Sequence, residues 1–151
     1  MFVIRSFFVV AFTLISFSGI EAQTKMSLKP LSSRPGSLSM YELKFTLSEP
    51  LVSSALTELR FPGKYNLSTV ALASSNDIKG GFTIQVNGDK LIIKRSGLGP
   101  DVKAQKELKI ILGPLMVPTE NQSVDDKILI GIKANGSKEY QVSQELIINR
   151  K

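Results

Sequence analysis

The sequence contains no cysteine, no histidine and no tryptophan. Without cysteine there is no thiol nucleophile, no thiolate metal ligand and no disulfide of the kind that joins the two sheets of antibody domains. Without histidine there is no Ser-His-Asp triad, no imidazole general base and no histidine ligand for zinc. These absences remove much of hydrolase chemistry, and they require the core of the protein to be stable without disulfides.

The remaining side chains do not indicate a catalytic reaction either. Tryptophan, the usual stacking platform for a sugar ring, is absent, and no pair of carboxylates is marked out for glycoside hydrolysis. Two acidic sets would offer oxygen ligands to calcium, Asp125-Asp126 with Glu120 or Asp77 with Asp89, but neither set fits a recognised calcium-binding loop. We therefore expect a protein that is not an enzyme, with no catalytic residue, no metal site and no cofactor.

The first 22 residues have the organisation of a secretory signal peptide. One positive charge, Arg5, precedes the apolar run Phe7–Ile15, and small and polar residues lead to Ala22. The run is well short of the roughly 20 apolar residues that cross a bilayer. We expect residues 1–22 to be a cleaved signal peptide and residues 23–151 to form one secreted, extracellular domain with no membrane span.

Alternation of apolar and polar residues dominates the rest of the chain, as is typical of half-buried strands. The clearest hairpin joins two β-rich runs through Asn87-Gly88. Turn residues separate the runs, among them Pro62-Gly63 and Gly113-Pro114. Seven to nine short strands with such spacing predict an all-β, immunoglobulin-like antiparallel β-sandwich. The alternating stripes are Tyr41 to Leu47, Thr57 to Phe61, Phe82 to Val86, Leu108 to Leu112, Ile128 to Ile132, and Tyr140 with Val142.

One segment is similar to a known family of repeats. The run Leu59–Leu67 resembles the strand, Phe-Pro and aromatic-loop element of immunoglobulin-like β-sandwich repeats in secreted and surface (adhesin-like) proteins. The order of elements continues to match from Tyr41 to Ile148. The resemblance implies a sandwich that serves in adhesion or structure, and it implies no catalytic residue.

Three Asn-x-Ser sequons are candidate glycosylation sites, at Asn66, Asn121 and Asn135. All three fall in segments predicted to be loops or turns, where a glycan has access to solvent. Asn and Ser are also common in turns for backbone reasons, so the alternative is that these sequons arise without being used.

The chain is basic, with 19 Lys and Arg against 13 Asp and Glu and a net charge of +6. If the strands that carry these residues lie side by side, they form a basic face that attracts acidic glycans, anionic membranes or nucleic acid. The expected partner is an unidentified protein or an acidic glycan surface. The alternative is a solvated exterior whose lysines discourage aggregation. Nucleic acid is disfavoured as a partner because Phe61, Phe82 and Tyr140 fit core positions and leave no stacking platform. The candidate basic face comprises Lys90, Lys94, Arg95, Lys103, Lys106 and Lys109.

A second candidate surface consists of apolar residues that break the alternation and are expected to point outward. They indicate either a strand that is buried on both sides or an exposed patch used in self-association or partner docking. These residues are Leu56, Ile92, Ile111, Leu129 and Ile147. The sequence thus favours a secreted, non-catalytic binding or surface-interaction module. The alternative is a small secreted carrier that holds an apolar ligand in a β-lined cavity.

Overall fold

The structure, a computed structural model, describes residues 25–32, 34–117, 119, 126–134, 140 and 142–148. Nine β-strands and one short 3₁₀ helix lie within these ranges. The signal peptide predicted for residues 1–22 falls outside them. The strands are β1 (Met26–Pro30), β2 (Leu38–Thr46), β3 (Leu56–Arg60), β4 (Leu72–Ser74), β5 (Phe82–Asn87), β6 (Lys90–Arg95), β7 (Glu107–Met116), β8 (Asp126–Lys133) and β9 (Val142–Ile148).

The strands form two sheets, and every pair of neighbouring strands is antiparallel. One sheet has four strands in the order β1-β2-β7-β4, and the other has five in the order β5-β6-β3-β8-β9. The predicted all-β sandwich is therefore confirmed. Among the described residues no helix is long and apolar enough to cross a membrane.

The alternation along β2 shows why the sheets pack face to face. Tyr41, Leu43 and Phe45 are almost fully buried, while Glu42 and Lys44 lie between them on the outer face and form an ion pair of 3.2 Å. Corresponding residues of both sheets fill one continuous core. Burial of each large apolar side chain contributes about 1.5–3 kcal/mol, so the core supplies the stability that disulfides give to smaller secreted domains.

The hairpin predicted at Asn87-Gly88 joins β5 to β6. Asn87 pairs with Lys90, which leaves Gly88 and Asp89 as a two-residue loop. Gly88 has φ of +60°, a conformation that glycine adopts without a steric cost. The turn thereby fixes the register of β5 on β6.

The prediction that Gly113-Pro114 separates strands is wrong, because both residues lie inside β7. The partner strand β2 has a register shift between Ser39 and Tyr41, so two residues of β7 oppose one of β2 at this point. A bulge of this kind tolerates a proline, which has no N–H to donate to the ladder. The bulge keeps β7 continuous across a pair of residues that usually interrupts a strand.

Candidate functional site

The outer face of the five-stranded sheet carries the densest group of interacting polar side chains among the described residues. The register places Leu56 between Lys94 of β6 and Lys133 of β8. Residues directly opposite each other in antiparallel strands point to the same side of the sheet. The outer face, as the term is used below, comprises Leu56, Glu58, Arg60, Lys90, Ile92, Lys94, Leu129, Gly131 and Lys133.

Tyr140 lies across this face on top of Gly131. A Cβ atom on residue 131 would come within 2.6 Å of Tyr140 Cδ1 and 3.1 Å of its Cγ, so only glycine leaves room for the ring. The ammonium of Lys133 lies 4.7 Å from the ring centroid, within cation–π distance. The aromatic ring therefore covers a gap in the sheet that would otherwise expose backbone.

Glu58 is the centre of the polar group. The hydroxyl of Tyr140 donates a hydrogen bond of 2.6 Å to Glu58 Oε2. Lys90 Nζ lies 3.4 Å from the other carboxylate oxygen, Oε1. Next to this pair, Arg60 Nε lies 3.5 Å from Asp89 Oδ2 in the hairpin loop. Each oxygen of Glu58 thus has a defined donor or cation.

These contacts shift the acidity of both partners. Partial burial alone would raise the pKa of Glu58. This effect is outweighed by hydrogen bonds from Tyr140 and Lys90 and by the charges of Lys90 and Arg60, so the pKa of Glu58 is lowered. Burial, with the hydrogen bond to Glu58 and its charge, raises the pKa of Tyr140 to about 12. At neutral pH the pair is a fixed carboxylate and a protonated phenol. This arrangement suits a rigid contact surface better than proton transfer.

Apolar side chains lie beside the polar group. Leu129 is 44% exposed, and Leu56 and Ile92 are half-buried on the same face. Ile111 pairs with Glu42 on the outer side of the other sheet, so the outward apolar residues do not form one patch. Ile147 pairs with Lys127 at the edge strand β9.

The candidate basic face is divided by the fold. Lys90 and Lys94 belong to β6 in the five-stranded sheet, whereas Lys109 belongs to β7 in the four-stranded sheet, and Lys103 and Lys106 lie in the connection that leads to β7. The condition that these strands lie side by side is therefore not met. Of the six residues, only Lys90 and Lys94 lie on the outer face defined above.

Arg95 is not part of any exposed face, because it is 4% exposed. Its Nη1 donates to Leu51 O at 2.9 Å, and its Nη2 donates to Lys79 O at 2.9 Å and Pro100 O at 2.8 Å. The three carbonyls belong to the β2–β3, β4–β5 and β6–β7 connections. One guanidinium therefore holds together three connections at one end of the sandwich.

Among the three sequons, Asn66 lies in the described residues, while Asn121 and Asn135 lie outside them. Asn66 is exposed and caps the 3₁₀ helix Leu67–Thr69. Its Oδ1 accepts hydrogen bonds from Ser68 N at 3.0 Å and from Ser68 Oγ at 2.7 Å. The sequon hydroxyl thus contacts the carboxamide that a glycan would modify, and Asn66 remains a candidate site.

Asp77 and Asp89 lie apart in the structure, and Glu120 and Asp125 fall outside the described residues. Asp77 accepts from Lys109 N at 3.2 Å and pairs with Lys106, whereas Asp89 pairs with Arg60 at the opposite end of the sandwich. Across the described ranges no group of three or more metal-ligating side chains comes together. Asp77 and Asp89 therefore act in separate local contacts.

Sequence reasoning missed the role of Tyr140. The alternation with Val142 indicated a core position, but Tyr140 is 41% exposed and precedes β9. A glycine inside a strand often marks the close approach of another group. Gly131, in the middle of the Ile128–Ile132 stripe, was the available signal, but the sequence does not reveal which group approaches it.

Solved structures of low sequence identity have a similar fold. A chain of the CaDoc0917–CaCohA2 complex matches with a TM-score of 0.55 and 11% identity, over 83% of this chain and 99% of the other. A cohesin module from a Clostridium perfringens family 33 glycoside hydrolase matches with a TM-score of 0.52 and 14% identity, over 85% and 96%. No protein-family model matches the sequence, and no curated protein does. At these identities the likeness shows the β-sandwich fold alone, so the resemblance to surface-protein repeats is supported at that level.

Proposed function

We propose that this chain is an exported, non-catalytic protein-binding module, and that its docking surface is the outer face of the five-stranded sheet. The observation that carries the proposal is the placement of Tyr140, held over Gly131 by Glu58 and next to the exposed Leu129. An aromatic ring fixed in one orientation loses little conformational entropy when it becomes an interface contact. Tyrosine is also among the residues that contribute most to interface energies.

The charged residues around Tyr140 and Leu129 indicate the charge that a partner surface should carry. Lys94, Lys133 and Lys90 border the apolar and aromatic residues, and with Arg60 they outnumber the two acidic positions that the register places on this side of the sheet, Glu58 and Glu145 opposite Leu129. A surface with an apolar centre and a basic border fits a protein with an apolar patch and an acidic border. We therefore propose an acidic protein surface as the ligand.

Two further observations support the proposal. One of the similar folds belongs to a two-component complex, and the other is a module of a glycoside hydrolase. The first 22 residues have the order of a signal peptide, which supports export.

The core favours a binding module over a carrier of an apolar ligand. The inward side chains that would have to line a cavity are packed against each other, and those of Leu43, Leu59, Leu112 and Ile130 have no exposed surface. The apolar stripes therefore serve to join the two sheets.

A photo-crosslinking experiment tests the docking surface. A benzophenone amino acid is placed at position 129 on the outer face, or at position 38 on the other sheet, where Leu38 is 54% exposed against 44% for Leu129. Each protein is incubated with the secreted fraction of its source. We expect a discrete protein adduct from position 129 that Tyr140→Ala abolishes, and no such adduct from position 38.

Two outcomes would contradict the proposal. An adduct of equal yield from position 38 would show that the outer face is not selective. The protein can also be passed over a sulfated glycan column. If it is retained, and if retention is lost in Lys90→Ala/Lys133→Ala but unchanged in Tyr140→Ala, the ligand is an acidic glycan and not a protein.

A further inference from the structure

The strand β5 is an edge of the five-stranded sheet, and its composition is unusual for an exposed edge. It pairs with β6 on one side and has no paired strand on the other among the described residues. Natural edge strands are commonly protected by lysine, proline or a bulge. The sequence Phe-Thr-Ile-Gln-Val-Asn from 82 to 87 contains no charge and no proline, and its register with β6 runs without a shift.

The pairing with β6 determines which backbone groups face outward. Ser96 N donates to Gly81 O at 2.9 Å, so this pair is hydrogen-bonded. Because bonded pairs alternate along an antiparallel ladder, Thr83, Gln85 and Asn87 direct their N–H and C=O groups toward β6. The N–H and C=O groups of the residues between them, Phe82, Ile84 and Val86, point away from the sheet.

We propose that β5 pairs with β5 of a second copy of this chain, antiparallel and centred on Ile84. In this register Ile84 opposes Ile84 of the second copy, and Phe82 opposes Val86. The outward-pointing groups of both strands then form six backbone hydrogen bonds. Apolar side chains meet apolar ones on the inner face, and Thr83 meets Gln85 on the outer face. The strand is thus complementary to itself, as a two-fold symmetric interface requires.

Charge complementarity selects a second copy over an unrelated strand. The antiparallel two-fold arrangement places the end of β5 that carries the hairpin loop, with Asp89, beside the other end of β5 in the second copy, which follows Lys79, and the symmetry repeats this proximity. Asp89 also pairs with Arg60 of its own chain. Both residues have solvent-accessible side chains, and that of Asp89 is 48% exposed. Opposite charges at the two ends of β5 favour an antiparallel pairing of the two copies over a parallel one.

An exposed apolar residue of β5 becomes covered in this arrangement. Val86 is 39% exposed on the inner side of the strand. The two-fold pairing places its side chain opposite Phe82 of the second copy. This interface is separate from the outer face proposed above to bind another protein.

Sedimentation equilibrium and hydrogen exchange test the pairing. Between about 1 µM and 1 mM we expect a monomer–dimer equilibrium, which Val86→Lys weakens at least about tenfold. Leu38→Lys, at a comparably exposed apolar site on the other sheet, is the matched control and leaves the equilibrium unchanged. The amides of Phe82, Ile84 and Val86 become protected as concentration rises, whereas those of Thr83 and Gln85 are protected throughout.

Charge reversal gives a test that does not alter the strand itself. We expect Lys79→Asp to weaken the dimer and the double variant Asp89→Lys/Lys79→Asp to restore it. A monomer at every concentration overturns the proposal. So does a dimer that Val86→Lys leaves intact, or one in which the three outward amides exchange at the same rate at all concentrations.

Discussion

The ring of Tyr140 rests on the backbone of Gly131, and its hydroxyl reaches across to Glu58 at 2.6 Å. Gly131 and Glu58 are opposed on neighbouring strands β8 and β3, so the ring spans two strands of the sheet. A glycine in the interior of a strand ordinarily weakens it by roughly 0.5–1 kcal/mol. Here the missing side chain is replaced by an aromatic ring from another part of the chain.

The first prediction concerns the acidity of Tyr140. A difference titration between the native protein and Tyr140→Phe, followed by phenolate absorbance, should give a pKa of about 12 for Tyr140. In Glu58→Gln the carboxylate charge is gone, and we expect the pKa to fall toward the ordinary value of 10.0. Glu49→Gln, at an exposed site in the β2–β3 connection, is the control and should leave it unchanged. A pKa unaffected by Glu58→Gln would contradict the observed hydrogen bond.

The same pair makes stability depend on pH at both extremes. The folded pKa of Tyr140 is raised, so its contribution is complete below pH 10 and is lost as the pH rises toward about 12. The pKa of Glu58 is lowered, so its contribution is present above about pH 4.5 and is lost as the pH falls through the lowered value. Urea unfolding across the pH range should show both losses, and Tyr140→Phe should reduce both.

The second prediction is that Gly131→Ala displaces Tyr140. The new Cβ would lie 2.6 Å from the ring, so the ring must move and lose its bond to Glu58. The gain in strand propensity offsets the lost contacts, and we expect the free energy of unfolding to change by less than about 1 kcal/mol. The pKa of Tyr140 should nevertheless fall toward 10.0. Gly63→Ala, where nothing lies within 4 Å, is the matched control and should leave that pKa unchanged.

The third prediction concerns Arg95. Replacing it with methionine leaves three carbonyls without their donor, and we expect the free energy of unfolding to fall by about 3 kcal/mol. Arg95→Lys should be intermediate, because one ammonium does not reproduce the forked geometry of a guanidinium. Lys94→Met, at the exposed neighbouring position, should change stability by less than about 0.5 kcal/mol. Equal effects of Arg95→Met and Lys94→Met in urea unfolding would rule out the role assigned to Arg95.

The fourth prediction separates two roles of Asn66. In a eukaryotic secretory host we expect a glycan on Asn66, detected by mass spectrometry, that is lost in both Asn66→Gln and Ser68→Ala. In unglycosylated protein, Asn66→Ala should cost about 0.5–1 kcal/mol because the cap of the 3₁₀ helix is lost. Ser68→Ala keeps the bond from the backbone N–H of residue 68 to Asn66 and should cost less. A native protein without this glycan would refute the assignment.

Local patterns in the sequence predict the fold class but not the order of the strands. The alternation from Tyr41 to Leu47 and the turn at Gly88 are local features, and each occurs in the structure as expected. The prediction of one basic face assumed that the lysine-bearing strands lie side by side. This is wrong because β6 and β7 belong to different sheets, which no local pattern in the sequence shows. Arg95 has the sequence context of a surface residue, and its burial depends on three connections that meet only in the folded chain.

The position of β3 in the middle of its sheet has a kinetic consequence. Residues 56–60 pair on one side with residues 90–94 and on the other with residues 129–133. Neither ladder forms from local contacts, and pairing over such separations slows folding. During synthesis, β3 can pair with both of its neighbours only after residue 133 has left the ribosome. A chain that ends before residue 126 therefore leaves one edge of β3 without a paired strand.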